Sequence, residues 1–188
     1  MNIVFIRHSK SLINPDIPIT TWGLSEEGVS LAKKLNNLKK IKELDVIYAS
    51  LQPKALETAI LATKNSGIPI KIDNRLTETT SFTNKFVNLE QLEKNTKEYF
   101  SNENSRINNG ETGKEALARF NKAINDIFIT EKDKKDIGIV SHGNILASFA
   151  VQYTKGDAFE LVENMKQPDL AVFNWETKKF TIFFGDLI

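Results

Sequence analysis

Residues Ile3 to Ile6 are four consecutive apolar side chains, and the run stops abruptly at Arg7 and His8. An uninterrupted apolar stretch of this length predicts a strand buried on both faces, as in a parallel sheet. A cation and an imidazole at the carboxyl end of such a strand sit where open α/β sheets bind ligands. The arrangement recurs far along the chain. Asp136-Ile137-Gly138-Ile139-Val140-Ser141 runs into His142 and Gly143, and an apolar helical stretch follows. These are the only two histidines in the chain. Each stands at a strand-to-helix switch, from which a side chain can enter a crevice. Two unrelated structural histidines are the plainer alternative, but their matched placement argues for a common site.

Between the two histidines the chain alternates strand and helix. Ser25 can cap a helix that has Glu26 and Glu27 in its first turn, and Val29, Ala32, Leu35 and Leu38 give it one apolar face. Residues 45–50 predict a second strand, and Pro53 suits the start of a helix through Ala55, Thr58, Ala59 and Ala62. A third strand is expected over 68–72, with Pro69 near its start. From Arg75 to Asn109 the rhythm breaks into a polar stretch with apolar spots at Phe82, Phe86, Leu89, Leu92, Tyr99 and Phe100. A helix is expected over 87–100. The whole segment, about residues 76–112, reads as an insertion over the carboxyl edge of the sheet, in the position of a lid or substrate loop. Helices over 113–130 and from His142 to near Lys155-Gly156 follow. Strands over 170–175 and 180–184, joined by a turn at Glu176 to Lys179, make one edge antiparallel. The expected fold is a single α/β domain: a three-layer α/β/α sandwich on a mostly parallel sheet with an antiparallel edge strand.

Composition narrows the function. The 188 residues carry a net charge of +1, with lysines dispersed rather than striped, so neither nucleic acid nor an anionic membrane is an expected partner. The absence of cysteine excludes disulfides, thiol catalysis and thiolate metal sites. Two histidines so far apart make a poor metal site, and no metal or cofactor is expected. The N-terminal apolar run is too short for a signal peptide, and no segment approaches a membrane span, so the cytoplasm is the expected location. Nothing in the sequence sets the oligomeric state.

The candidate site gathers Arg7, His8, His142 and Lys54, the last one turn into the helix after the second strand. Donors and positive charge suit a phosphoryl group, whose oxygens share negative charge in the transition state. A neutral imidazole can attack phosphorus if an acceptor holds its other ring nitrogen. The residues involved resemble those of the histidine phosphatase superfamily, in the branch that includes phosphoglycerate mutases. Arg7, His8, Ser11 and Asn14 are spaced like its opening motif. Leu24, Ser25, Gly28 and Ala32 resemble a second element, and Ser50, Lys54, Ala55, Thr58 and Ala59 a third. Gly110-Glu111-Thr112 with Arg119 resembles a fourth, and Ser141-His142-Gly143 matches the second histidine motif.

The resemblance implies roles. His8 is the phosphorylated nucleophile, and Arg7, Asn14, Lys54 and His142 hold phosphate, His142 also serving catalysis. Glu78, in Leu76-Thr77-Glu78, stands where the family keeps its general acid. Ser9, Ser11 and Gly143 are candidates for lining the pocket. Four departures stand out: Ser9 for a glycine, Lys54 for an arginine, Leu51 for a proline, and Thr79-Thr80-Ser81-Phe82 where mutases have Arg-His-Tyr-Gly. Lysine keeps the charge but loses the bidentate fork. The insertion offers few cations, chiefly Lys85, Lys94, Lys97 and Arg106. Together these imply a metal-independent phosphomonoesterase acting through phosphohistidine on a small phosphorylated metabolite. A mutase-type phosphotransferase and a catalytically weak phospho-ligand or partner-binding module are the alternatives.

Overall fold

A computed structural model describes residues 1–80, 88–104, 106 and 109–182. The first apolar run is strand β1 (Asn2–Arg7). Helices α1 (Glu26–Leu35) and α2 (Lys39–Lys42) lead to β2 (Val46–Ala49), α3 (Pro53–Ala62) and β3 (Ile70–Ile72). Then come α4 (Leu89–Ser101), α5 (Gly113–Thr130), β4 (Asp136–Ser141), α6 (Gly143–Val151), α7 (Ala158–Asn164), β5 (Asp169–Asn174) and β6 (Lys179–Ile182).

The sheet order is β3-β2-β4-β1-β5-β6. Strands β1 to β4 run parallel; β5 pairs antiparallel with both β1 and the edge strand β6. Side chains alternate across this sheet, as strand geometry demands. Ile3, Phe5, Ile137, Ile139 and Phe173 pack on one face with Phe120 of α5 and Phe149 of α6. Val4, Ile6, Val140, Leu170 and Val172 pack on the other with Leu35 of α1 and Ala55, Ala59 and Ala62 of α3. Helices therefore cover both faces, which is the three-layer arrangement. Register then positions the site. Arg7 lies opposite Ser141 in the parallel pairing of β1 with β4, so the chain leaves both strands at the same edge. His8 and His142 come directly after the two strands.

Local chemistry fixes the helices. Ser25 accepts a hydrogen bond from the Gly28 amide at 3.0 Å, and Thr112 with Glu115 forms a reciprocal capping box. Gly28 is needed for close approach: a Cβ there would lie 2.0 Å from the Lys10 carbonyl oxygen, so α1 packs directly on the loop after His8.

The structure departs from the expected helix boundaries in two places. α1 stops at Leu35 rather than running to Leu38: the amides of Asn36, Asn37 and Leu38 donate three residues back, to Lys33, Lys34 and Leu35, and the Asn36 side chain donates to the Lys64 carbonyl at 2.7 Å. The helix after His142 stops at Val151, and a separate α7 follows. It is capped by Asp157, which accepts from the Glu160 amide at 2.9 Å. The inserted segment contributes α4, which meets α7 where Lys97 Nζ lies 5.4 Å from the Phe159 ring centre. Phe82, Lys85 and Phe86, and the end of the strand expected over 180–184, lie outside the described residues. No described helix is long and apolar enough to cross a membrane.

Candidate active site

His8 is fixed at the end of β1, where its amide donates to the Ser141 carbonyl at 2.9 Å. Its ring Nδ1 lies 2.8 Å from the Ser9 carbonyl oxygen. A carbonyl can only accept, so Nδ1 carries the proton and Nε2 carries the lone pair. The required acceptor is thus backbone, which no side-chain motif discloses. His142 follows β4, with its ring centre 5.1 Å from that of His8 and the planes at 62°. Its Nε2 lies 2.9 Å from Ser50 Oγ, at the end of β2, while its Nδ1 is buried without a partner among the described residues. Ser50 Oγ already accepts from the Gln52 amide at 3.3 Å and is free to donate to His142. With Ser50 as the donor, the ring proton of His142 is on Nδ1, from which it can donate to an oxyanion.

Burial pushes both imidazoles well below the ordinary range. For His8 the positive charge of Lys54 and then of Arg7 adds to burial, against the opposing bond to Ser9. For His142 the neighbours in order are His8, Lys54, Arg7 and Arg119. Both rings are neutral at neutral pH, as a nucleophile requires. Stability must then depend on pH. Between the lowered folded values and the unfolded value near 6.5, the unfolded chain binds more protons, so stability is present above that value and lost as pH falls. Chemical denaturation between pH 7 and pH 5 should show this loss, at a slope of at most about 1.4 kcal/mol per pH unit for each ring. A flat profile would show that the rings are not buried as bases.

Arg7 reaches the same edge from β1. Its Nη1 donates to the Met165 carbonyl at 2.5 Å, and its Nε is buried without a partner among the described residues. Gly143 makes room for it, since a Cβ there would sit 3.1 Å from the guanidinium carbon. Opposite stands Glu78, whose carboxylate accepts from the amides of Thr79 at 2.9 Å, Asn144 at 3.0 Å and Ile145 at 3.1 Å. The last two are orphan donors of the first turn of α6, so Glu78 caps that helix from a distant segment. Burial raises the Glu78 carboxyl, against these three donors and Lys54. The segment before it is clamped by Arg119, which donates to the carbonyls of Arg75 at 2.5 Å and Thr77 at 3.2 Å. Arg119 also pairs with Glu111 at 2.6 Å. Ser141 Oγ adds a bond to the Leu76 carbonyl at 2.7 Å.

A cavity of about 320 Å³ opens at this edge. Of the residues expected at the site, Arg7, His8, Glu78 and Gly143 line it, and Asn144 joins them. α4 contributes Leu92, Glu93 and Thr96, and α7 contributes Val162 and Glu163. His142 lies edge-on to the His8 ring, 1% exposed, and is not in the wall.

Four other candidates are placed differently. Lys54, 5% exposed, donates to the Ile19 carbonyl at 3.1 Å; burial lowers it to about 8, opposed by Glu78. Asn14 turns its side chain to the Asp16 amide at 3.0 Å, and Ser11 bridges to Leu24. Ser9 explains its own departure from glycine. Its hydroxyl donates to the Gly28 carbonyl at 2.7 Å, on the α1 side.

A three-layer sandwich that brings two imidazoles and an arginine from adjacent strands to one edge of the sheet, beside a cavity, has the phosphoglycerate mutase-like form. The chain belongs to the histidine phosphatase superfamily (branch 1), whose family model matches residues 3–182. Solved structures share the fold at low identity. A mycobacterial glucosyl-3-phosphoglycerate phosphatase is 16% identical with a TM-score of 0.79, over 98% of this chain and 99% of that one. A protein described as a putative alpha-ribazole-5'-P phosphatase from Escherichia coli K-12 is 19% identical with a TM-score of 0.75, over 98% and 96%. Bacillus stearothermophilus YhfR is 21% identical with a TM-score of 0.78, over 96% and 94%. Comparison with curated proteins gives no match.

Proposed function

We propose that the protein is a histidine phosphatase that hydrolyses a small phosphomonoester through a phosphohistidine, without a metal. The observation that carries this reading is the His8 ring, with Nδ1 bonded to the Ser9 carbonyl and the lone pair left on Nε2. Nε2 attacks phosphorus, and the P–O bond to the leaving group breaks. Glu78 gives its proton to the departing oxygen. Water then attacks the phosphohistidine, Glu78 takes the proton, and inorganic phosphate leaves with His8 restored. Arg7 and His142 supply donors to the phosphoryl oxygens. α4, which walls the cavity, acts as its lid. The two phosphatases named among the structural neighbours favour hydrolysis over transfer. On this reading the expected compartment is the cytoplasm, where small phosphorylated metabolites are made and used.

The test is phosphate release from an aryl phosphate in excess chelator, followed by product analysis with a phosphoglycerate. Free phosphate supports hydrolysis, whereas an isomer assigns the protein to phosphotransfer. Lys54 favours one further outcome, because its ammonium is spent on the Ile19 carbonyl rather than the cavity. Phosphate binding without release would make the protein a phospho-ligand binder.

Lys54 also sets a pH dependence. Its charge favours anionic substrate below about 8 and is lost above it. A pH profile of kcat/KM, which reports the free enzyme, should therefore fall as pH rises past that value. In Lys54→Arg the charge persists and the alkaline limb should move up by at least about one unit. An unmoved limb would remove Lys54 from the electrostatics of the site.

A further inference from the structure

The phosphoryl end of the cavity is cationic, and the rest of its wall is not. Beyond Arg7 and His8 the wall passes to α4 and α7, where Leu92 and Thr96 stand beside Glu93 and Glu163. Neither glutamate has an ion-pair partner among the described residues, and Arg7 is the only Lys or Arg among the cavity's lining residues. Lys97, on the same helix as Glu93, lies over the Phe159 ring instead. A leaving group that fills the cavity after its phosphate is seated therefore meets two carboxylates from separate helices, neither of them held in an ion pair by a described residue. A second phosphate or a carboxylate there is repelled. Hydroxyl or ammonium groups are accepted as donors.

Building on the phosphatase reading, we infer that Glu93 and Glu163 are specificity-determining residues. They select phosphomonoesters of donor-rich alcohols, polyols or amino alcohols, and reject those whose leaving group carries a further negative charge. The size of the cavity agrees, since about 320 Å³ holds a small metabolite rather than a polymer.

Two ligands of one skeleton test this. Glycerol 3-phosphate and 3-phosphoglycerate differ only in a hydroxymethyl group replaced by a carboxylate, and phosphoethanolamine adds a cationic arm. Affinity is read by calorimetry on His8→Ala, which cannot consume them. Repulsion by two partly screened carboxylates should favour glycerol 3-phosphate by roughly tenfold or more at low salt, and 1 M salt should narrow the gap. Phosphoethanolamine should bind at least as well as the polyol. In the double variant Glu93→Gln, Glu163→Gln the ratio should fall toward unity. Equal or reversed affinities, a salt-independent ratio, or a ratio untouched by the double substitution would each overturn the inference. Failure of the phosphatase reading has a different signature: no phosphate released by the wild-type protein from any ester, with the affinity order intact.

Discussion

His8→Ala should abolish phosphate release, by on the order of 10⁶-fold, the scale on which deletion of a covalent nucleophile is felt. The size follows from what has no substitute. His8 is the one ring at this edge whose Nδ1 is held by a carbonyl, leaving Nε2 as a base. His142 is a poor replacement, because its Nε2 is engaged with Ser50. Fold should survive, since the strand that delivers His8 is fixed by backbone pairing on both sides rather than by the ring. Circular dichroism and a thermal melt would check that. Rapid quenching of wild-type enzyme into alkali, where a phosphoramidate bond to imidazole persists, should trap phosphate on the protein; His8→Ala should trap none. Release retained within about tenfold would leave the covalent route without its nucleophile.

How much of this was legible from residues alone depends on where the information lies. β1 and β4 are buried on both faces, so their apolar runs are continuous and their ends are sharp. The sequence thus carries both histidines and their strand-end placement. What put the rings side by side is register, Arg7 opposite Ser141, a long-range property that local patterns do not hold. The acceptor on His8 Nδ1 is a main-chain carbonyl, the same at every residue and so invisible in a motif. Asn14 and Ser11 fit the motif spacing, yet local bonds on the polar loop take them elsewhere. α7 lies between the expected helix end near Lys155-Gly156 and the strand expected from residue 170, a stretch to which the sequence pattern assigns no element. Its signal was Asp157 with Glu160, a cap and an acid in the first turn, and with it came Val162 and Glu163. Arg119 illustrates the reverse. Its motif was visible but its task was not, because that task is to hold backbone carbonyls before Glu78.

Glu78→Gln should separate the two halves of the reaction. An alkyl phosphate needs its leaving oxygen protonated as the P–O bond breaks, and loss of the acid should cost roughly 10²- to 10⁴-fold. An aryl phosphate leaves as a stabilised phenolate and hardly needs that proton. Its first turnover should be nearly unchanged, while attack of water on the phosphohistidine, which has lost its base, slows. Stopped flow should then show a burst of phenolate close to one equivalent per site before a slow steady state. The substitution also disturbs α6. The glutamine oxygen can accept from only part of the pair formed by the Asn144 and Ile145 amides, and its amide group faces the other donor. A loss of about 1 kcal/mol in stability is expected from one such mismatch, too little to account for the kinetic effect. Equal slowing of the first turnover for alkyl and aryl esters would mean that Glu78 serves only as the cap of that helix. The proton would then have to come from another group.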